Sequence, residues 1–90
     1  MTTLRLQDGA TYAAFDGFVV EVSGLNGSAN IKRIALAALE QVGLADTAAG
    51  ELMFLVKTRK GGFGLAVSPA RRAEWQTLVD AVTEALARRP

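Results

Sequence analysis

Apolar and polar residues alternate along the first quarter of the chain, in short segments that two Asp-Gly pairs separate. An alternation of period two is typical of strands with one buried face. Asp8-Gly9 and Asp16-Gly17 suit two-residue hairpin turns, because both central positions need the positive φ that Gly and Asp tolerate. The pattern therefore predicts an antiparallel three-stranded meander over about residues 2–23. The apolar residues predicted to share a strand face are Leu4 with Leu6, and Phe18 with Val20 and Val22.

A second hairpin is predicted after the connection at residues 46–50. Residues 51–58 form an apolar run of strand length with a charged end, and apolar residues alternate again over residues 63–67. Between these runs, residues 59–62 (Arg-Lys-Gly-Gly) carry the glycines of a turn. Two strand-sized runs joined by a few residues that include Gly indicate a β-hairpin.

The C-terminal residues predict an amphipathic helix over residues 69–88. Ser68 is suited to cap it and Pro69 to occupy its first position, where a missing N–H costs nothing. Apolar side chains then recur at the spacing of one helix face, which we expect to pack on the core with the tryptophan at its head. The residues of this stripe are Trp75, Leu78, Val79, Val82 and Leu86.

The segment between the hairpins, residues 31–43, has two interpretations. It follows a Gly-, Asn- and Ser-rich loop at residues 24–30 and ends at Gly43. As a helix at about 30–43 it would give the order βββαββα, which the helix propensity of Ala, Leu and Glu favours. The stripe buried by such a helix would be Ile31, Ile34, Ala35, Ala38 and Val42.

As strand-turn-strand, the same segment alternates from Lys32 to Leu36, with Ile34 and Leu36 directed inward. A short turn at Ala37-Ala38 follows. Leu39 then begins a second strand, which also holds Val42 and Leu44. Tertiary packing often overrides helix propensity in a segment this short, so local preference alone does not decide between the two.

Four segments resemble, in order, motifs of bacterial pleckstrin-homology-like (PH-like) domains. Residues 15–22 (FDGFVVEV) and 34–42 (IALAALEQV) are similar to the patterns F-x-G-x-x-V-x-V and I-P-L-x-x-I-x-x-V. Residues 50–56 (GELMFLV) are similar to the glycine and apolar strand that follow in the family. Residues 75–86 (WQTLVDAVTEAL) are similar to its closing F-x-x-L-x-x-x-I-x-x-x-L helix. Ala35 stands where the family pattern has Pro.

This resemblance implies a single PH-like domain over residues 1–90, of α+β class: a small seven-stranded antiparallel barrel or sandwich capped by a C-terminal amphipathic helix. It therefore favours the strand-turn-strand interpretation of residues 31–43. It also implies a non-enzymatic interaction module, whose open sheet edge and helix-side groove suit a protein or peptide partner or self-association. Relatives that bind phosphoinositides have a basic first loop, whereas Asp8-Gly9-Ala10 is short and acidic, so headgroup binding is not expected.

Composition narrows the chemistry further. The 90 residues include neither Cys nor His, which removes thiolate nucleophiles, Cys-based zinc sites, and the commonest general base and metal ligand. We therefore expect no enzymatic activity, no catalytic residue, no cofactor and no metal site. No apolar run approaches the ~20 residues of a membrane span, and MTTLRLQDG has no secretory pattern, so a cytoplasmic protein is predicted.

Ten basic and nine acidic residues give a net charge of +1, far below the basic excess of a dedicated nucleic-acid-binding protein. The cations are clustered, however, so the alternative hypothesis is a small α+β nucleic-acid-binding domain that uses the basic hairpin 57–60 with Lys32-Arg33. Cations in the first turn of the predicted helix oppose its dipole, which indicates contact with an acidic partner. The candidate partner-binding residues are Lys57, Arg59, Lys60, Phe63, Arg71 and Arg72.

Overall fold

The structure, a computed structural model, describes residues 3–24 and 30–88, so residues 25–29 of the predicted loop lie outside the described residues. Its strands are β1 (Leu4–Asp8), β2 (Thr11–Phe15), β3 (Val19–Ser23), β4 (Lys32–Ala35), β5 (Leu39–Asp46), β6 (Leu52–Thr58) and β7 (Gly61–Val67). One α-helix, α1 (Arg72–Arg88), follows a single 3₁₀ turn. The strands form a four-stranded antiparallel sheet, β1-β2-β3-β4, and a three-stranded one, β5-β6-β7. For the described residues, the predicted α+β class with seven strands and a C-terminal helix is confirmed.

Residues 31–43 contain strand, turn and strand, so the βββαββα alternative with a helix at about 30–43 is wrong. A 3₁₀ turn at Leu36–Ala38 joins β4 to β5. Leu39 is fully buried and Ile34 packs against the core. Burying one such side chain contributes about 2 kcal/mol, so the packing of Ile34 and Leu39 opposes a helix preference of about 0.7 kcal/mol or less per residue.

Of the predicted barrel or sandwich, the structure shows two antiparallel sheets that stay separate over the described residues and do not close into a barrel. The chain passes from β4 through the turn at Leu36–Ala38 directly into the other sheet. Where β2 of one sheet meets β7 of the other, the two strands do not pair. A side chain connects them instead, since the Thr11 hydroxyl donates to the Ala66 carbonyl at 2.9 Å. The two sheets therefore share one core but keep open edges, which closure into a barrel would remove.

The core lies between the two sheets and α1. The predicted stripe of α1 packs into it, with Trp75 fully buried and Leu86 at its half-buried end. The Phe54 ring lies 5.2 Å from the Trp75 ring, centroid to centroid, at a tilt of 37°. The other buried members of this core are Ala13, Phe15, Val20, Val22, Leu39, Val42, Leu52, Val56, Leu65, Val67, Leu78, Val79 and Val82.

The prediction that Phe18 shares a strand face with Val20 and Val22 is wrong, since Phe18 precedes β3 and its side chain is 68% exposed. The Asp16 carboxylate explains the difference. Its Oδ1 accepts the backbone N–H groups of Phe18 and Val19, each at 2.8 Å. These bonds hold Phe18 in a turn, so β3 begins one residue later and only its two buried valines face the core.

The first hairpin turn is shifted by one residue from the predicted Asp8-Gly9. Asp8 is still part of β1 and pairs with Thr11, so Gly9 and Ala10 form the turn. Gly9 adopts a φ of 61°, which a residue without a side chain reaches at no steric cost. The shift leaves the Asp8 carboxylate at the end of a strand, where it contacts the C-terminal part of the chain.

The α-helix begins at Arg72 instead of Pro69, which lies in a preceding 3₁₀ turn. The Ser68 side chain makes no capping hydrogen bond to the described residues. The Ser68 backbone N–H instead donates to Asp8 Oδ2 at 2.6 Å. A carboxylate from β1 therefore accepts the N–H of Ser68, and the Ser68 carbonyl accepts the Arg71 N–H at 3.0 Å, so Ser68 is held through its backbone and not through the predicted side-chain cap.

Candidate functional site

An open groove of about 740 Å³ lies between β4 and the turn of the β6–β7 hairpin. We call it the basic groove, because four of its lining residues are cations contributed by two different sheets. Lys32 and Arg33 come from β4, whereas Arg59 and Lys60 form the hairpin turn. The remaining lining residues are Ile34, Ala35, Ala38, Thr58, Gly61, Gly62 and Phe63.

The hairpin turn that carries two of these cations is held by three hydrogen bonds. The Thr58 hydroxyl donates to the Gly61 carbonyl at 2.8 Å and accepts the Lys60 backbone N–H at 3.2 Å. The Arg59 backbone N–H donates to the Ala38 carbonyl at 3.2 Å, which ties the turn to the β4–β5 junction. The groove walls are thus fixed to each other through backbone contacts.

One edge of β4 is open along the groove. The Leu36 N–H donates to the Phe18 carbonyl at 2.9 Å, which makes this a hydrogen-bonded position of the β3–β4 pair. Such positions alternate along an antiparallel pair, so Ile34 also bonds toward β3. Arg33 and Ala35 occupy the intervening positions and direct their backbone N–H and C=O groups away from β3, toward the open edge.

Across the groove, β7 also presents bare backbone. The two-residue turn closes with Thr58 opposite Gly61, so Gly62 is the next position along the strand and directs its N–H and C=O outward. A Cβ at Gly62 would lie 3.1 Å from the Val56 carbonyl oxygen. Glycine at this position therefore avoids a close contact with the backbone of β6.

Phe63 forms part of the groove beneath a cation. The Lys32 ammonium lies 5.1 Å from the centre of the Phe63 ring, within cation–π distance. The ring is half-buried and packs against the core. Phe63 therefore positions Lys32 and supports the groove, and its face is already covered.

Of the four cations that line the basic groove, one forms an ion pair with a carboxylate of the described residues. Arg33 Nε donates to Glu21 Oε2 at 2.7 Å, an exposed cross-strand pair on the outer face of the sheet. Lys32, Arg59 and Lys60 form no ion pair with the carboxylates of residues 3–24 or 30–88. Three cations are therefore available to an incoming anionic group.

Lys57 lies apart from the basic groove. It alternates with buried residues of β6, which places it with Leu55 on the outer face of the three-stranded sheet. A shallow depression of about 540 Å³ adjoins it, lined in part by Gly43. The structure thus divides the predicted basic hairpin 57–60 between two surfaces.

Arg71 and Arg72 also lie away from the groove, at the start of α1. Arg71 Nε donates to Glu74 Oε2 at 2.6 Å, and its Nη1 donates to the Gln7 carbonyl. The hydrogen bond between Arg71 and Glu74 raises the pKa of Arg71 and lowers the pKa of Glu74. Arg72 pairs with Asp46. Both arginines are thus engaged within the chain, linking the helix start to β1 and β5.

Lys32 and Arg33 were predicted to bind only in the nucleic-acid alternative, yet they form one wall of the groove. The sequence feature that could have identified them is a pair of adjacent cations at the start of a predicted strand. Ala35, Ala38 and Gly62 carried no such signal, because their role depends on backbone exposed at a sheet edge. Only pairing of the strands makes that edge apparent.

In the part of the chain that the structure describes, no helix is long and apolar enough to span a membrane. Residues 3–24 and 30–88 also contain no cluster of three or more acidic side chains arranged to hold a metal ion. Comparisons with models of protein families, with curated proteins and with solved structures find no match to this chain.

Proposed function

We propose that this protein is a non-enzymatic interaction module of PH-like fold, which binds an extended acidic segment of a partner protein in the basic groove. The observation that carries the proposal is the convergence of Lys32, Arg59 and Lys60, all without ion-pair partners among the described residues, beside the open edge of β4. An open edge binds an extended peptide by adding it to the sheet, and side chains beside it select the sequence.

The chemistry of binding follows from the two kinds of group in the groove. The outward N–H and C=O groups of Arg33 and Ala35 pair with the peptide backbone, as in an antiparallel ladder. Carboxylates of the peptide reach Lys32 on one wall, and Arg59 and Lys60 on the other. Hydrogen bonds between ionised groups are stronger than neutral ones, so acidic residues at alternate positions are preferred.

A nucleic acid is the alternative ligand of the same cations. Single strands bind proteins by stacking bases on exposed aromatic rings along a basic track. Phe63 is the aromatic residue of the groove, and it is half-buried under the Lys32 ammonium. A net charge of +1 also supplies little attraction for a polyanion. These two observations favour the acidic peptide.

The PH-like part of the proposal is supported by the order of elements. Seven antiparallel strands in two sheets precede one C-terminal amphipathic helix, and the helix buries a Trp at its first turns. The same resemblance led us to expect binding through an open sheet edge.

Fluorescence anisotropy tests the proposal with a fluorescein-labelled peptide of alternating Glu and Val. We expect saturable binding that weakens as salt is raised, because the contacts are exposed ion pairs. A Lys–Val peptide of equal length should not bind. Tighter binding of a labelled oligothymidine than of the Glu–Val peptide would overturn the proposal in favour of nucleic acid.

A pair of double variants with equal net charge tests the location. Arg59→Gln/Lys60→Gln removes two groove cations, whereas Arg5→Gln/Arg88→Gln removes two cations elsewhere on the surface. We expect the first to weaken binding of the Glu–Val peptide about tenfold and the second less than about twofold, since distant surface charges are screened. Equal losses in both would contradict the assigned site.

A further inference from the structure

The outer face of the three-stranded sheet is apolar, although no element of the described chain covers it. Alternation along β5, β6 and β7 defines this face by the residues opposite the buried ones. We call it the β6 face; its central residues are Gly43, Ala45, Met53, Leu55, Gly64 and Ala66. An antiparallel sheet that faces water normally carries polar residues there.

The outer face of the four-stranded sheet shows the contrast. It carries charged side chains on β1, β3 and β4, namely Arg5, Glu21 and Arg33, and the last two form an ion pair. Leu55, by comparison, is a large apolar side chain that is 42% exposed at the centre of the β6 face. The difference between two sheets of one small domain indicates that the β6 face packs against another surface.

Glycines on the strands beside β6 leave the β6 face without side chains on either side of Leu55. A Cβ at Gly64 would lie 3.1 Å from Leu55 Cδ2 and from Met53 Cε, so both side chains lie across this glycine. On the other side, a Cβ at Gly43 would have no neighbour within 4 Å. A second flat sheet can therefore approach closely, with Met53 and Leu55 making the central contact.

Charge complementarity identifies the partner. Glu51, one residue before β6, and Lys57, near its end, are exposed and follow the same alternation as Met53 and Leu55. The two charges are opposite in sign and lie at the two ends of the face, separated by roughly 20 Å of extended strand. A surface with an acidic end and a basic end complements itself when one copy is turned end for end.

We propose that the β6 face is the interface of a homodimer, in which two copies pack sheet on sheet with their β6 strands antiparallel. A two-fold axis perpendicular to β6 then places Met53 of one copy against Leu55 of the other, and Glu51 against Lys57. Such an interface uses the same patch on both subunits, as two-fold dimers do. It leaves the basic groove open, so it is independent of the function proposed above.

Sedimentation velocity on the full chain tests the dimer, with two matched substitutions. Leu55→Lys places a charge at the centre of the face, whereas Phe18→Lys places one at an exposed apolar residue of the other sheet. We expect the wild type and Phe18→Lys to sediment as dimers and Leu55→Lys as a folded monomer by circular dichroism. A wild type that stays monomeric up to about 1 mM would overturn the inference, as would a dimeric Leu55→Lys.

A charge exchange tests the antiparallel arrangement. Lys57→Glu and Glu51→Lys each place like charges together twice per dimer, so each should raise the dimer dissociation constant about tenfold. The combined variant Glu51→Lys/Lys57→Glu restores opposite charges at both ends and should return the constant to within about threefold of wild type. Additive losses in the combined variant would refute this pairing. Glu51 lies at the end of the β6 face away from the hairpin turn, so Glu51→Lys should change binding of the Glu–Val peptide less than about twofold.

Discussion

The Asp8 carboxylate joins the first strand to the C-terminal helix, since its Oδ2 accepts the indole N–H of Trp75 at 3.0 Å. The same oxygen accepts the Ser68 backbone N–H at 2.6 Å. Trp75 is fully buried, and its indole N–H needs a partner because an unpaired buried donor is costly. Asp8 therefore satisfies the polar atom of the largest core side chain and fixes the point where the helix meets the sheet.

Replacing Asp8 tests this connection. We expect Asp8→Ala to lower the free energy of unfolding by about 2 kcal/mol, because two donors lose their acceptor. Asp8→Asn keeps an acceptor oxygen and should lower it about half as much. Urea denaturation followed by the fluorescence of Trp75, the single tryptophan, measures both. An Asp8→Ala protein as stable as the wild type would show that the contact does not hold the helix.

A second pair of substitutions tests the conformation of the middle segment. Leu39 is fully buried in the strand-turn-strand arrangement, whereas Ile31 is 54% exposed. We expect Leu39→Ala to cost about 3 kcal/mol through the cavity it leaves, and Ile31→Ala to cost less than about 0.5 kcal/mol. A helix would bury Ile31 and leave Leu39 off its stripe, so thermal or urea unfolding with the opposite ranking would contradict the strands.

Features set by neighbouring residues could be predicted from the sequence, whereas features set by side-chain hydrogen bonds to the backbone could not. Alternating apolar residues and glycine-containing turns are local signals, and both hairpins and the Trp75 stripe followed from them. The prediction that Phe18 shares a strand face with Val20 and Val22 was wrong because the Asp16 carboxylate accepts two backbone N–H groups and extends the turn. The Ser68 hydroxyl makes no capping hydrogen bond to the described residues, and the Ser68 N–H donates to a carboxylate sixty residues away in sequence; no local pattern predicts such a contact.

The candidate site was predictable only in part. Arg59 and Lys60 stand out as a basic turn, and they do line the groove. Arg71 and Arg72 stand out equally as cations at a helix start, but both are engaged by acceptors within the chain. Telling a free cation from an engaged one requires the tertiary position of its neighbours. The open edge of β4 is likewise visible only once the sheet order is established.

Ala35 offers a substitution that separates stability from binding. Its φ of −66° is the value that proline imposes, and its N–H is directed to the open edge of β4. The PH-like pattern also has Pro here. We expect Ala35→Pro to keep the fold, with stability equal to or up to about 1 kcal/mol above wild type. Binding of the Glu–Val peptide should weaken, because the edge loses a donor. A large loss of stability by thermal unfolding would contradict the edge assignment.

The Asp16 carboxylate predicts a pH dependence. Hydrogen bonds from the backbone of Phe18, and then of Val19, lower the pKa of Asp16 below its ordinary value of 3.8. A depressed folded pKa means that the stabilisation is complete above the unfolded pKa and is lost as pH falls through the folded one. NMR titration of the side-chain carboxyl should give a pKa below that of a model peptide. The stability difference between wild type and Asp16→Ala should be larger at neutral pH than at about pH 2; an unchanged difference would contradict this account.

The central claim, that an acidic extended segment binds in the basic groove, is tested most directly by mapping the contact on the protein. Backbone amide NMR spectra of the ¹⁵N-labelled chain, titrated with the Glu–Val peptide, report each contacted residue. Our account predicts that the largest shifts fall on residues 32–35 and 59–63, with the N–H groups of Arg33 and Ala35 among them. Shifts concentrated between β1 and α1, or on the β6 face, with residues 32–35 unchanged, would contradict it.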